Sequence, residues 1–166
     1  MRDSCSEFAA GVAKSFAFLF KRGFRIEFQQ SLPMDTCLII LGSGKFRIKL
    51  YRTIDEVNLQ VGTSSAPPVW ETTSDGETRW YFLRSIVGFL TNDITPTLPD
   101  AAAWATRTHA VQIEELSAML RAHFRQIEEL FGEGRFKSAR QAYDRYVETA
   151  RDAVRKQYAA NAKKPD

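Results

Sequence analysis

Hydrophobic side chains near the start of the chain recur every three or four residues. Phe8, Val12 and Phe16 fall on one side of a helix at this spacing, and polar residues occupy the other side. The pattern predicts an amphipathic helix over residues 6–21. Gly23 follows at the position where helices often end in a left-handed conformation, so we expect the helix to stop there.

The period of the pattern changes from about three and a half to two after Gly23. Phe24, Ile26 and Phe28 alternate with polar residues, which is typical of a strand with one buried face. Short segments rich in turn-forming residues separate this strand from the next ones, and such short connections favour an antiparallel meander. Three further strands are predicted, at residues 37–41 (apolar on both faces), 45–52 and 57–61.

A polar stretch and a second helix follow the predicted strands. Residues 62–77 are rich in Thr, Ser and Pro and read as a long surface loop, with a small extra hairpin about Asp75-Gly76. Helical spacing of apolar residues then predicts a helix over residues 80–91. The proline-containing segment 93–100 is the predicted linker that ends an α+β module formed by residues 1–92.

The rest of the chain has helical periodicity. Two long apolar stripes are separated by Gly132 and Gly134, which predicts an antiparallel helical hairpin over residues 101–158. This hairpin either packs on the α+β module as one domain or projects and forms a homodimer; residues 159–166 are expected to be a flexible tail. The predicted fold class is therefore α+β: an N-terminal helix, an antiparallel sheet of about four strands, a covering helix and a C-terminal helical hairpin.

Composition adds limits on the class of protein. The chain has 166 residues, 44% of them hydrophobic and 26% charged, which suits one soluble domain. Its net charge of +3 is too small to indicate a dedicated nucleic-acid or membrane protein. Cys37 opens an apolar run, so we expect a buried, reduced thiol there. Without a signal-peptide pattern or a membrane-length apolar run, the expected compartment is the cytoplasm.

The sequence contains few residues in patterns typical of catalysis or metal binding. His109 and His123 are predicted on one helix, about 21 Å apart at the helical rise, so they cannot share a metal ion. Residues 42–45 look like part of a phosphate-binding loop, but the full spacing is missing and a strand follows. We therefore expect no enzyme activity, no catalytic residues, no metal and no cofactor.

Two sets of side chains are candidate contacts for a partner. The first is a basic alternation along the third predicted strand, which either steers an acidic partner or only blocks strand pairing on a solvated sheet face. The second is an aromatic cluster on both sides of the polar loop, which either anchors an interface or closes the end of the core. The candidate partner-binding residues are Arg25, Lys45, Arg47, Lys49, Trp70, Trp80 and Tyr81.

The order of these segments resembles that of small bacterial immunity-type and accessory proteins, which are encoded beside toxin or defence genes. The resemblance rests on residues 18–24 (FLFKRGF), 80–83 (WYFL) and 86–90 (IVGFL) and covers about residues 5–92. It implies a protein that neutralises or docks on a partner. It carries no catalytic signature and assigns no site residue.

The leading hypothesis from the sequence is a non-enzymatic protein-binding module that acts by surface complementarity, with no membrane association. Its expected partner is another protein, such as a toxin or a defence-system component. One alternative is a nucleic-acid-associated protein that combines the basic strand with Arg151, Arg155 and Lys156. A second alternative is a small-molecule binder with a pocket between the sheet and the helices.

Overall fold

The predicted α+β fold class is confirmed. The computed structural model describes residues 4–68, 80–95 and 101–162, and these residues form one antiparallel sheet with helices packed on one side. The sheet has five strands in the order of the chain, so it is a simple meander. The strands are β1 (Arg25–Leu32), β2 (Thr36–Gly42), β3 (Phe46–Arg52), β4 (Val57–Thr63) and β5 (Trp80–Phe82).

The helices precede and follow the sheet. In chain order they are α1 (Ser4–Ser15), α2 (Ala17–Lys21), α3 (Leu83–Thr91), α4 (Ala101–Ala105), α5 (His109–Ile127) and α6 (Phe136–Ala162). Between α5 and α6 the chain makes a π-helical turn at Glu128–Gly132. Thr108 caps the start of α5, because its side chain accepts a hydrogen bond from the Val111 N–H.

The fifth strand corrects the predicted start of the covering helix. Residues 80–82 were expected to be helical, but they pair with β4, and the helix begins only at Leu83. Trp80 and Tyr81 point to opposite faces of the sheet, as consecutive strand residues do. Aromatic side chains favour strands, and this sheet buries side chains on both of its faces. The prediction of a helix considered only the helical spacing of the apolar residues.

The predicted N-terminal helix is divided in two at Phe16. The Ser15 carbonyl accepts a hydrogen bond from the Ser117 hydroxyl of α5, at 2.6 Å. This bond satisfies a carbonyl group that lies at the end of α1. The predicted stop at Gly23 is confirmed, since Gly23 has φ of +91°.

A bulge in β1 breaks the predicted alternation of its apolar residues. The register shifts between Ile26 and Phe28, so that Glu27 is the extra residue. As a result, Phe28 packs on the second face of the sheet with Ile40, while Phe24 is buried in the main core. The prediction that Phe24, Ile26 and Phe28 share one buried face is therefore wrong.

The main core lies between the helices and one face of the sheet. Phe24, Phe46 and Phe124 meet there, with ring centroids between 5.2 and 6.2 Å apart. Their contact joins the start of β1, the start of β3 and the end of α5. The first helix of the predicted hairpin therefore packs on the sheet and shares its core.

Helix α6 packs differently from the second arm of a simple hairpin. Its contacts are chiefly with α3 and with the π-helical turn, and it does not run back along α5. The first half of α6 is held by Phe136 and Tyr143, which are buried in the main core. The helix continues to Ala162, past the predicted end at residue 158, so the predicted tail is partly helical.

Gln112 is a buried polar residue that ties three segments together. Its Oε1 accepts a hydrogen bond from the Val57 N–H at 2.6 Å. Its Nε2 donates to the carbonyls of Asp55, Trp104 and Arg107, at 3.0–3.1 Å. The side chain thereby joins α5 to the start of β4 and to the α4–α5 connection.

The two cysteines form a disulfide bond, which corrects the expected reduced thiol. Cys5 in α1 and Cys37 in β2 are bonded, with Cα atoms 5.4 Å apart. Both residues are buried in the main core, as predicted for Cys37. Sequence spacing gave no sign of the pairing, because it depends on α1 lying across the second strand.

Some predictions lie outside the described residues. These are the hairpin about Asp75-Gly76, most of the polar loop, Trp70, and the larger part of the linker at residues 93–100.

Candidate functional site

The predicted basic face is not a solvated surface. Lys49 is fully buried on the second face of the sheet, where its Nζ lies 4.3 Å from the centroid of the Trp80 ring. Ile40 and Ala66 lie in the same small cluster as Trp80. The expectation of three exposed cations along β3 is therefore wrong, because the segment after β4 folds over this face.

Arg47 holds that segment to the sheet. Its Nε pairs with the Glu27 carboxylate at 2.7 Å, and its Nη1 donates to the Ala66 carbonyl at 2.7 Å. Glu27 reaches Arg47 across β2 only because Gly42 has no side chain, since a Cβ there would overlap the carboxylate. These partners give Arg47 a structural role on the covered face.

The two other basic candidates remain exposed. Arg25 donates through Nη1 to the carbonyls of Phe24, at 2.7 Å, and Phe20, at 3.3 Å. It thereby caps the end of α2. Lys45 lies in the β2–β3 turn. The structure thus separates the four basic candidates into two exposed side chains, one ion-paired side chain and one buried side chain.

The described aromatic candidates lie on opposite faces of β5. Trp80 is on the second face, and its Nε1 donates to the Pro67 carbonyl at 2.7 Å. Tyr81 is half-buried on the main-core side, where it contacts a group of aromatic rings. Its ring neighbours are Phe131, Phe136 and Tyr143, at centroid distances of 4.4–6.0 Å.

Lys49 should make the stability of the protein depend on pH. Burial lowers the pKa of Lys49 from 10.5 to about 8. The folded chain therefore loses this proton at a lower pH than the unfolded chain does, so the unfolding free energy should rise with pH above 8. Denaturant unfolding at pH 8 and at about pH 9.5, compared with the Lys49→Met variant, measures the contribution.

The upper pH limit of that measurement follows from the tyrosines. Burial raises the pKa of Tyr51 and Tyr143 to about 12, so the unfolded chain ionises first near their ordinary value of 10 and the unfolding free energy then falls. Below that value the difference between wild type and Lys49→Met should grow in favour of wild type. A difference that does not change with pH would contradict the assignment.

A cleft of about 930 Å³ lies between β5 and α6. All three residues of β5 line it, and consecutive strand residues point to opposite faces, so the cleft follows the edge of the strand. On the sheet side it is lined by Gln60, Trp80, Tyr81, Phe82 and Ser85. On the helix side it is lined by Arg140, Tyr143, Asp144, Tyr146, Val147, Glu148, Ala150, Arg151, Val154 and Arg155. We call this site the β5–α6 cleft.

Close packing against α3 fixes the helical wall of the cleft. Tyr146 donates its hydroxyl proton to the Asp93 carbonyl, at 2.8 Å, and its ring meets Phe89 at 6.0 Å between centroids. Gly88 permits this approach, because an added Cβ would overlap the Tyr146 hydroxyl and lie 2.6 Å from the Asp93 carbonyl oxygen. The position of α6 is therefore set by its contact with α3.

The chemistry of the cleft suits recognition by hydrogen bonds and aromatic contact. Phe82 is 45% exposed, and Gln60 is 3% exposed with no described residue bonded to its Oε1. Burial raises the pKa of Tyr143 to about 12, so its phenol stays protonated at neutral pH. Arg140 pairs with Asp144 at 3.8 Å, along one turn of α6.

Other chemistry-bearing residues are scattered. The described residues contain no group of three or more His, Cys, Asp or Glu that could hold a metal ion. His123 is close to Gln126, and Glu115 pairs with Arg107 on the helical surface. The residues that resembled a phosphate loop form the β2–β3 turn, as predicted.

Comparisons with protein-family models, curated proteins and solved structures found no match to this chain. Within residues 4–68, 80–95 and 101–162, no helix has both the length and the hydropathy that crossing a membrane requires. The candidate site therefore rests on the geometry of this chain alone.

The sequence indicated only part of the cleft. Trp80 and Tyr81 were candidates and do line it. Arg140 was not considered. Phe82, in the aromatic cluster, and the tyrosines that replace aliphatic residues on the last apolar stripe were signals of an interface but were not among the candidate residues.

Proposed function

We propose that this protein is a non-enzymatic, protein-binding module of the immunity or accessory type, which docks on or neutralises a partner protein. The observation that carries the proposal is the β5–α6 cleft, where exposed Phe82 and the α6 tyrosines lie beside three arginines. Tyr, Trp, Phe and Arg are the residues enriched at protein–protein interfaces. Arginines of α6 thus take the steering role that the sequence assigned to β3.

The proposal predicts that a single charge placed in the cleft strongly weakens partner binding. Phe82→Glu should reduce co-purification of a stoichiometric partner from the native cell by about tenfold or more, because an interface anchor is replaced by a charge. Ile54→Glu is the matched control, since Ile54 is 66% exposed and does not line the cleft. Equal recovery of the partner with both variants would contradict the proposed site.

The nucleic-acid alternative receives less support from the geometry. Arg47 is ion-paired and Lys49 is buried, so β3 does not present a row of cations to a phosphate backbone. The small-molecule alternative retains the cleft, whose volume falls within the usual range for ligand sites.

The light-scattering mass of the purified protein distinguishes a complex with a partner protein from a homodimer formed through α6.

We propose the cytoplasm as the compartment on the sequence pattern alone. The Cys5–Cys37 disulfide is instead typical of an oxidising compartment, so the state of this pair in the cell is a direct test. In a reducing compartment Cys5 and Cys37 would be thiols, whereas an oxidising compartment keeps them bonded. Alkylation of the protein in intact cells, followed by unfolding and mass measurement, counts the thiols. A fully bonded pair in the native cell would overturn the cytoplasmic proposal.

A further inference from the structure

The β5–α6 cleft is bounded by two regular elements of different kinds. One wall is the last strand of the sheet, and the described residues place no other strand along its outer edge. The outer edge of a terminal strand presents backbone N–H and C=O groups, which can template a further strand. The opposite wall is one face of a helix.

The helical wall is longer than the strand. The lining residues of α6 recur every three or four positions from Arg140 to Arg155, about 22 Å of helix. β5 has three residues, about 10 Å of strand. At the rise per residue of a β-strand, an extended segment of about six residues is about as long as the helical wall. The middle of this segment would pair with β5.

The arginines at one end of the cleft favour an acidic side chain in the bound segment. Asp144 pairs with Arg140. Arg151 makes no ion pair with a described residue, and Arg155 has only the exposed Asp152, at 3.6 Å. The Arg151 guanidinium, together with Arg155 one turn further along α6, can therefore donate to a carboxylate of the bound segment, which arginine binds with two parallel hydrogen bonds.

We propose that the β5–α6 cleft binds an extended segment of a partner protein, which adds to β5 as a sixth strand and places an acidic side chain beside Arg151 and Arg155. This inference rests on the proposed protein-binding function and specifies how the partner binds. Backbone pairing supplies affinity in such strand addition, and the side chains facing the helix supply specificity.

The test uses peptides as the probe and the full chain as the target. A displayed library of random ten-residue peptides is selected against the wild-type protein, and the enriched sequences are synthesised with a single N-methyl group at each position in turn. We expect enrichment of Asp or Glu at one end. N-methylation should weaken binding about tenfold only at the one or two central positions whose N–H groups face the three residues of β5.

Variants and hydrogen exchange complete the test. Arg151→Glu should weaken the selected peptides about tenfold, and Ile54→Glu should not. The amides of residues 80–82 that face away from β4 should gain protection when peptide is added. The inference is overturned if no peptide is enriched, if N-methylation is tolerated throughout, or if these amides are already protected in the free protein. A natural partner lost with Phe82→Glu would in those cases keep the proposed function and exclude only the strand mode.

Discussion

Reduction of the Cys5–Cys37 disulfide is expected to lower the melting temperature by about 10 °C. The bond closes a loop between residues 32 positions apart, and loop closure of that length stabilises a folded chain by about 3–4 kcal/mol. A protein of this size loses roughly 2–4 °C for each kcal/mol. Thermal unfolding with and without a reductant measures the shift.

The control for that prediction is the Cys5→Ala/Cys37→Ala double variant. It removes the bond without leaving thiols, so its melting temperature should not respond to the reductant. It should melt close to the reduced wild-type protein or slightly below it, because besides the bond the change removes only two buried sulfur atoms. Identical melting of oxidised and reduced wild type would show that the bond contributes nothing.

Gln112→Leu is expected to reduce the unfolding free energy by about 3–4 kcal/mol. The substitution keeps the volume of the side chain but leaves the Val57 N–H and the carbonyls that Gln112 serves without this partner. A buried polar group that loses its hydrogen bond costs about 1–3 kcal/mol. Denaturant unfolding of the variant and of wild type gives the difference.

Gln126→Leu is the matched control, since Gln126 lies on the same helix but is exposed. Its effect should stay within about 0.5 kcal/mol, as for most surface substitutions. A loss of similar size in both variants would mean that the buried network of Gln112 has no special role. A large loss in Gln112→Leu alone would establish that this side chain holds α5 to the start of β4.

Local patterns predicted most of the fold. The apolar alternation along β3 and β4 and the helical stripe of α5 reflect burial on one side of an element, and the apolar run of β2 reflects burial on both of its faces. Such burial is visible in the sequence because the period of the element decides which residues share a face. Gly23 and Gly44 also indicated the turns in which they lie, because both adopt a positive φ that glycine accommodates best.

The predictions that were wrong concern contacts between segments that are far apart in the sequence. The basic residues of β3 read as a solvated face because nothing in their own spacing shows that the chain after β4 folds over Lys49. The pairing of Cys5 with Cys37 and the packing of α6 on α3 have the same origin. The cleft was therefore only half predicted, through Trp80 and Tyr81.

The most direct test of protein binding at the β5–α6 cleft is to identify what contacts Phe82 in the native cell. A photo-crosslinking amino acid at position 82, with the same group at exposed position 54 as control, reports contacts within a few ångströms of each side chain. Protein binding at the β5–α6 cleft predicts a covalent adduct with one protein partner from position 82 and none from position 54. Adducts of equal yield from both positions, or none from position 82, would contradict a protein-binding role for the β5–α6 cleft.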